Sequence, residues 1–239
     1  MTYPGGKQGS GVYQQIINRI PPHDLYVEPF LGGGAILKMK RLALANIGMD
    51  IDPEVIDNFP QGATPNLTLL QEDAIGYLCN ARFSPKTFIY CDPPYLQYTR
   101  RKPGKLYSHE FSDADHINLL DIIKHLTCMV MISGYPNDTY DDALSGWWTH
   151  TFQTTNRGGG HVTEKLWMNY PPPIHLHDYR YLGRDFRERE RIKRKTLRWT
   201  RRLSAMPDLE RHALGAAIDD LVDIGQHRRE ERASILKTF

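Results

Sequence analysis

The stretch Val27-Glu28-Pro29-Phe30-Leu31-Gly32-Gly33-Gly34-Ala35 runs from an apolar segment through three glycines into the start of an amphipathic segment. It predicts a buried strand, a glycine turn and a helix. Glycines at such a turn let the backbone approach a ligand closely, as a nucleotide-like cofactor requires. Glycine turns also occur in simple loops, so this stretch alone leaves a purely structural turn open.

The segments on either side extend this alternation. Through residue 135, apolar β-branched runs alternate with amphipathic stretches, which is typical of a parallel sheet covered by helices. Strands are predicted over 25–30, 47–51, 67–71, 87–91 and 128–133, and helices over 34–44, 53–59 and 113–125. Segments 148–154 and 164–170 flank the turn NRGGGH and predict a final hairpin. The predicted fold is therefore α/β and Rossmann-like, with a seven-stranded, mostly parallel sheet that ends in an antiparallel hairpin.

Length and composition limit the classes of protein. The 239 residues allow one medium domain with a small extension, and 40% hydrophobic residues suffice for a core. No apolar run approaches the roughly 18 residues that span a bilayer, and the first residues lack a signal-peptide pattern, so we expect a soluble, cytoplasmic protein. The cysteines, Cys79, Cys91 and Cys128, lack CxxC spacing and predict reduced thiols. His175 and His177 have metal-like spacing without a third matching ligand nearby, so we expect surface histidines and no metal.

Tyr170-Pro171-Pro172-Pro173 predicts a domain boundary, because three successive prolines cannot donate hydrogen bonds to a sheet. We predict a catalytic domain over 1–173 and a basic extension over 174–239. In the extension, apolar residues recur at spacings of three and four over 192–206 and again over 209–224, which predicts a helical hairpin.

The charge of this extension is unusual for a chain whose net charge is only +2. Eleven of the 30 Lys and Arg residues lie in 180–202, beside three acidic residues. Such a block favours contact with a polyanion. A charged helix whose apolar seam packs on the catalytic domain or on another subunit explains the same pattern, so both interpretations stay open.

A second informative stretch, Phe88-Ile89-Tyr90-Cys91-Asp92-Pro93-Pro94-Tyr95, places a carboxylate, two prolines and an aromatic ring at the end of a buried strand. Open α/β sheets bind ligands at the carboxyl ends of their strands. The Asp92 carboxylate and the Pro93 carbonyl can each accept one hydrogen of an exocyclic amine, and so favour a more tetrahedral, nucleophilic nitrogen. Tyr95 can stack on a flat base. A proline-stiffened turn with a solvated aspartate is the structural alternative.

These motifs resemble the Dam-like, D12 class of adenine-specific DNA methyltransferases, which use S-adenosylmethionine. Tyr3-Pro4-Gly5-Gly6-Lys7 is similar to the N-terminal element of that family, and VEPFLGGG, an acidic strand end and DPPY follow in the family's order. The resemblance spans roughly residues 3–135 and continues more weakly through 163–167. It implies a class I methyltransferase fold and an S-adenosylmethionine cofactor.

The resemblance also implies site residues. The catalytic set is Asp92, Pro93, Pro94 and Tyr95, and the cofactor set is Tyr3, Lys7, Glu28, Pro29, Phe30, Gly32, Gly34, Asp50, Asp73 and Asp92. Asp50 matches the family pattern better than Asp52, which also follows the second strand about twenty residues after the glycines. Asp73 is similar to the acid near the cofactor's adenine, although a plain loop carboxylate explains it equally well. Lys7 can pair with the cofactor's carboxylate.

The chain departs from sequence-specific members of the family because it lacks their large target-recognition insertion before DPPY. Recognition would have to come from 97–109, from 156–161 or from the basic extension, which suggests short or relaxed specificity. The predicted nucleic-acid contacts are Tyr98, Arg100, Arg101, Lys102, Lys105, Tyr107, Arg157, Lys193, Arg194, Lys195 and Arg198.

The expected function is methyl transfer from S-adenosylmethionine to N6 of a flipped adenine in DNA. Related motifs also serve cytosine N4, RNA adenine and glutamine side chains, so these substrates remain alternatives. A catalytically silent DNA-binding relative would not need an intact DPPY. A nicotinamide-dependent oxidoreductase would explain the glycine turn but not DPPY. A homodimer through the C-terminal helices is a further expectation.

Overall fold

The computed structural model describes residues 6–9, 11–60, 62, 65–100, 108–155 and 160–236. Its strands are β1 (Leu25–Glu28), β2 (Ala45–Asp50), β3 (Leu67–Gln71), β4 (Thr87–Cys91), β5 (Met129–Gly134), β6 (Trp148–Thr155) and β7 (His161–Met168). Its helices are α1 (Val12–Ile17), α2 (Ala35–Met39), α3 (Pro53–Asp57), α4 (Ala74–Asn80), α5 (Asp113–Lys124), α6 (Asp138–Ala143), α7 (Phe186–Ser204) and α8 (Asp208–Leu236). A 3₁₀ turn covers Gln97–Thr99.

The strands form one sheet in the order β3-β2-β1-β4-β5-β7-β6, in which β7 is antiparallel to both of its neighbours and the other pairs are parallel. The predicted fold class is confirmed. The chain leaves β1 for β2 on one side and later returns to β4 on the other. This reversal opens a crevice at the carboxyl ends of β1 and β4, where such sheets bind ligands.

The core lies on both faces of the sheet because side chains alternate along each strand. All five residues of β4 are buried. Phe88 and Tyr90 pack into one hydrophobic cluster with α1 and α2, whereas Ile89 and Cys91 pack into a second cluster with α5. Helices on both faces thus hold the end of β4 in place.

Some predicted bounds were wrong. The helix predicted over 34–44 ends at Met39, because Lys40 is extended (φ −72°, ψ 159°) and buries its side chain, whose Nζ donates to Asn46 Oδ1 at 3.1 Å. That turn lets β2 begin earlier than predicted, at Ala45. The sequence pattern also missed the short helices α1, α4 and α6. Short helices carry too few apolar positions for their period to be read.

The chain divides into two compact units, Met1–Arg184 and Asp185–Phe239, so the boundary comes later than the predicted one at 173. Segment 174–184 belongs to the first unit because its polar groups bind residues near α1 and α2. His177 N donates to Ile20 O, and Arg41 N donates to Asp178 Oδ2 at 2.9 Å. His177 is buried and its ring stacks on His23 with centroids 3.9 Å apart, so the expectation that it is a surface histidine was wrong.

The second unit contains the two predicted C-terminal helices. Asp185 caps α7 by accepting from Glu188 N, and α8 begins at Asp208, directly after Pro207. No residue of α7 is buried, and apolar side chains of both helices, including Trp199 and Leu221, are exposed. None of the helices that the structure describes is long and apolar enough to cross a membrane.

Replacing Asp178 with alanine tests the later boundary. This carboxylate is 2% exposed and accepts from the backbone of Arg41 and from the Arg180 guanidinium. Its loss leaves a partly buried N–H without its acceptor, so urea denaturation should show a free energy of unfolding lower by about 1–3 kcal/mol. Asp121→Ala, which removes an exposed ion pair with Lys124, should change it by less than about 0.5 kcal/mol. Equal effects of the two variants would contradict this assignment of 174–184.

Candidate active site

A cavity of about 1270 Å³ opens at the carboxyl ends of β1, β2 and β4. Its lining includes both sequence motifs: the glycine turn after β1 and the Asp92-Pro93-Pro94 turn after β4. The structure thus brings together stretches that lie about sixty residues apart in the chain. The volume exceeds the range of about 300–1,000 Å³ that is usual for small-molecule pockets, so the cavity has room for a cofactor and part of a substrate.

The glycine turn is shaped by two residues with positive φ, Gly32 (45°) and Gly34 (59°). A Cβ added at Gly34 would lie 2.4 Å from Phe59 Cε2, so this position cannot hold a larger residue without a shift. Asp50 Oδ2 accepts from Gly32 N at 2.8 Å, and its Oδ1 accepts from Asp52 N at 3.0 Å. The end of β2 therefore fixes the turn that follows β1.

Asp52 and Asp73 each begin a helix and line the same cavity. Asp52 Oδ1 accepts from Glu54 N at 3.0 Å, and Asp73 Oδ2 accepts from Gly76 N at 2.7 Å. The sequence left open whether Asp73 is a plain loop carboxylate or an acid near the cofactor. Its carboxylate caps α4 and also lines the cavity, so the structure is compatible with both roles. Its contact with the cofactor's adenine stays a prediction.

Glu28 lies at the end of β1 and is buried. Its Oε2 accepts from Tyr26 Oη at 2.8 Å and from Leu37 N at 3.1 Å. Burial raises the pKa of this carboxyl to about 8, and the nearby charge of Asp92 adds to the rise. Glu28 is therefore mostly protonated at pH 7 and can ionise when a cation approaches it.

Asp92 is held at one oxygen. Its Oδ1 accepts from Lys7 Nζ at 2.8 Å and from Ser133 Oγ at 2.8 Å. Ser133 lies on β5 and also bonds Tyr90 Oη at 2.9 Å. The Asp92 side chain is 18% exposed and lines the cavity. A carboxylate fixed at one oxygen presents the other in a defined direction.

Tyr95 lies behind this turn. The residue is 8% exposed and is not part of the cavity lining, and its ring meets the ring of Tyr135 edge-on with centroids 4.7 Å apart. Its hydroxyl donates to Glu164 Oε2 at 2.6 Å and accepts from Lys7 Nζ at 2.5 Å. Base stacking on Tyr95 stays a prediction and requires neighbouring groups to move. In the structure the residue anchors the turn.

Lys7 has a partner within the chain, and its predicted pairing with the cofactor's carboxylate stays a prediction. Its side chain is 5% exposed and pairs with Asp92. Lys7 thus places its charge beside the catalytic carboxylate. Pairing with a cofactor carboxylate would compete with this contact.

Glu164, Ser133 and Glu110 were not among the predicted site residues. Glu164 belongs to the weakly similar stretch 163–167, and its buried position on β7 follows from the inward alternation of that strand. β7 runs antiparallel to β5, so its first half lies near the carboxyl ends of the parallel strands. The weak resemblance of residues 163–167 to the family was the sequence signal that could have identified Glu164.

The predicted nucleic-acid contacts fall into three groups. Arg100 is 7% exposed at its side chain, donates to both oxygens of Glu110, and donates from Nε to Tyr95 O at 2.8 Å. It holds the chain after DPPY, which corrects its predicted role in binding phosphates. Tyr98 is 62% exposed. A second group, Arg101, Lys102, Lys105, Tyr107 and Arg157, lies outside the described residues, as does Tyr3 of the cofactor set.

The third group lies on α7. Lys193, Arg194, Lys195 and Arg198 are all exposed on this helix. Their side chains are therefore accessible to a polyanion, although contact with nucleic acid stays a prediction.

Residues 77–155 match the family model of D12 class N6 adenine-specific DNA methyltransferases. This match supports the predicted family over the matched segment. The matched segment runs from the second half of α4 through β4, α5, β5 and α6 to the end of β6, which is about a third of the chain. This match supports methyl transfer as the activity of the chain, and S-adenosylmethionine is the methyl donor that the family uses.

Solved structures with a similar fold are more distant, and no curated protein matches the chain. The N-methyltransferase NodS from Bradyrhizobium japonicum WM9 is 12% identical over 66% of this chain and 94% of its own, with a TM-score of 0.49. An rRNA methylase from Streptococcus thermophilus is 13% identical over 68% and 96%, with a TM-score of 0.45. Magnesium protoporphyrin IX methyltransferase from Synechocystis PCC 6803 is 11% identical over 66% and 75%, with a TM-score of 0.42. Likenesses this distant carry no argument about substrate.

The charge of the cavity fits S-adenosylmethionine. The described residues that line it include eight acids and two lysines: Glu28, Asp50, Asp52, Glu54, Asp73, Asp92, Glu110 and Asp115 against Lys7 and Lys38. Because Glu28 is mostly protonated at pH 7, the excess of negative charge comes from the other seven acids. S-adenosylmethionine carries a sulfonium and an ammonium against one carboxylate, and so is a net cation. A nicotinamide dinucleotide carries phosphates, which these acids would repel. The cavity therefore favours the methyl donor over the oxidoreductase alternative.

Replacing Glu28 with glutamine should change the pH dependence of stability. An acid whose pKa rises from 4.5 to about 8 on folding contributes stability that is complete below pH 4.5 and is lost as the pH rises through 8. Between pH 5 and 8, the wild-type free energy of unfolding should fall more steeply than that of Glu28→Gln, by up to about 1.4 kcal/mol per pH unit.

The measurement is urea denaturation at several pH values, and the exposed Glu72→Gln serves as the control. Parallel curves for wild type and Glu28→Gln would contradict the raised pKa.

Proposed function

We propose that this protein transfers the methyl group of S-adenosylmethionine to N6 of an adenine flipped out of DNA. The observation that supports this most is Asp92, fixed at one oxygen and followed by two prolines at the rim of an acidic cavity. The family match supports adenine in DNA as the substrate.

Each residue of the site has a distinct role in the proposed methyl transfer. Asp50, which lines the cavity at the end of β2, would hold the ribose of S-adenosylmethionine, and the acidic lining would attract this cation. When bound, S-adenosylmethionine would supply an electrophilic methyl group. Asp92 Oδ2 and the Pro93 carbonyl accept the two hydrogens of the adenine amino group. Both oxygens would stabilise the positive charge that develops on this nitrogen as it takes up the methyl group. The nitrogen then loses one proton to the Asp92 carboxylate or to solvent.

The site's rigidity is what makes this arrangement effective. The backbone of the DPPY turn has little freedom because Pro93 and Pro94 fix two φ angles. Ser133 and Lys7 fix Asp92, and Arg100 fixes the Tyr95 carbonyl. Acceptors that are already oriented cost no reorganisation energy during the reaction.

Cytosine N4 and adenine in RNA are the other substrates that this arrangement can accept, because each presents an exocyclic amine on a flat ring. We also propose short or relaxed sequence specificity, since the chain lacks the family's target-recognition insertion. The predicted cytoplasmic location and the homodimer stay predictions.

Wild-type protein incubated with S-adenosylmethionine and unmethylated DNA should produce N6-methyladenine, measured by nucleoside mass spectrometry. Asp92→Ala removes an acceptor that stabilises the transition state, so its rate should fall about 100-fold or more. Asp138→Ala, an exposed acid at the start of α6, should keep the wild-type rate.

A matched RNA substrate distinguishes the alternatives. Product only in RNA, or N4-methylcytosine in DNA, would contradict the proposed substrate. No product while calorimetry shows cofactor binding would contradict the proposed activity and favour the silent relative.

The exposed cations of α7 should give salt-dependent DNA binding. Replacing Lys193, Arg194, Lys195 and Arg198 with glutamine removes up to four phosphate contacts. A plot of log affinity against log salt should become shallower by about 0.9 for each phosphate that the variant no longer neutralises. Lys86→Gln with Lys124→Gln, two cations of the first unit, is the control. An unchanged slope in the α7 variant would refute the proposed contact.

A further inference from the structure

Four polar side chains from distant parts of the chain meet behind the DPPY turn. Lys7 precedes α1, Asp92 and Tyr95 follow β4, and Glu164 lies on β7. Lys7 Nζ lies 2.8 Å from Asp92 Oδ1, 2.5 Å from Tyr95 Oη and 3.9 Å from Glu164 Oε2. Tyr95 Oη lies 2.6 Å from Glu164 Oε2. The lysine is thus surrounded by three oxygen atoms.

The direction of the hydrogen bonds follows from the chemistry of the groups. An ammonium only donates, so Tyr95 accepts from Lys7 and uses its own proton to donate to Glu164. Glu164 therefore sets the orientation of the tyrosine hydroxyl. The hydroxyl and Glu164 together hold the ammonium against Asp92 Oδ1.

The location of Glu164 separates it from substrate binding. Its side chain is 8% exposed, and neither it nor Tyr95 lines the cavity, whereas Lys7 and Asp92 do. Glu164 thus reaches the reacting atoms only through the other three groups.

We propose that Glu164 is a positioning residue for methyl transfer: through Tyr95 and Lys7 it fixes Asp92 so that Oδ2 meets the amino group of the substrate. This inference rests on the proposed function, and it assigns a role to a residue outside the predicted catalytic set. Lys7 accordingly acts with Asp92, the group that meets the amino group of the substrate.

Electrostatics support the same arrangement. Two carboxyl groups, Asp92 and Glu164, share one ammonium in a buried space, and Tyr90 and Tyr95 are the other titratable groups that face Glu164. Burial raises the pKa of Glu164, while Lys7 and the Tyr95 hydrogen bond oppose the rise. A buried carboxyl of this kind is costly unless all its partners are in place.

The test uses Glu164→Gln, Tyr95→Phe and the double variant in the full-length protein. Glutamine keeps the shape and an acceptor oxygen but not the charge, and phenylalanine removes only the hydroxyl that links Glu164 to Lys7. The readouts are the single-turnover rate of N6-methyladenine formation with saturating cofactor and DNA, the two dissociation constants, and the midpoint of thermal unfolding. Asp178→Asn, a buried carboxyl that is not part of the cavity lining, controls for loss of stability alone.

We expect each single variant to slow methyl transfer about 10- to 100-fold, because small displacements of a catalytic group have effects of this size. Both dissociation constants should change less than about threefold. The double variant should be no slower than the slower single variant, because both changes break one chain of contacts. Asp178→Asn should lose stability and keep its rate.

A wild-type rate in Glu164→Gln, or rate losses that multiply in the double variant, would overturn the positioning role and leave the proposed function intact. Weaker cofactor or DNA binding at an unchanged rate would also overturn it. If Glu164→Gln does not fold, the test rests on Tyr95→Phe, and a wild-type rate in that variant would overturn the positioning role. If the wild-type protein makes no methylated base, the proposed function fails and the positioning role fails with it.

Discussion

The ion pair between Lys7 and Asp92 joins the N-terminal segment to the end of the central strand of the sheet. Both groups are largely removed from water, so the pair persists only if its remaining hydrogen-bonding capacity is satisfied. Ser133 satisfies one lone pair of Asp92, and Tyr95 and Glu164 satisfy the lysine. The sheet order, which places β4 between β1 and β5 and brings β7 beside β5, is what allows these partners to meet.

The cavity in front of this cluster has a different electrostatic character. Its lining is rich in carboxyl groups, several of which already accept backbone hydrogen bonds at helix and strand ends. The same acids therefore shape the backbone and attract a cationic cofactor. Glu28, which is mostly protonated at pH 7, reduces the repulsion among them when no cation is bound.

The second unit has the opposite charge and no buried residue on α7. Its exposed arginines and lysines, with exposed apolar residues beside them, give it the composition of a surface that binds a partner. The chain thus separates the chemistry, which needs a rigid and enclosed acidic site, from a basic helical region with high exposure.

Much of the fold was determined by the sequence itself. The apolar period of the strands, the glycine turn and the position of DPPY predicted the sheet, its hairpin and the motifs at its carboxyl edge, because strand periodicity and glycine conformations are local properties. The roles of Lys7, Arg100 and Glu164 were decided only by the tertiary structure. Each depends on a partner that is distant in the chain or on burial, as in the contact between Tyr95 and Glu164, and no local pattern encodes such a distance. The end of α2 at Lys40 was likewise set by a buried contact with Asn46 rather than by helix propensity.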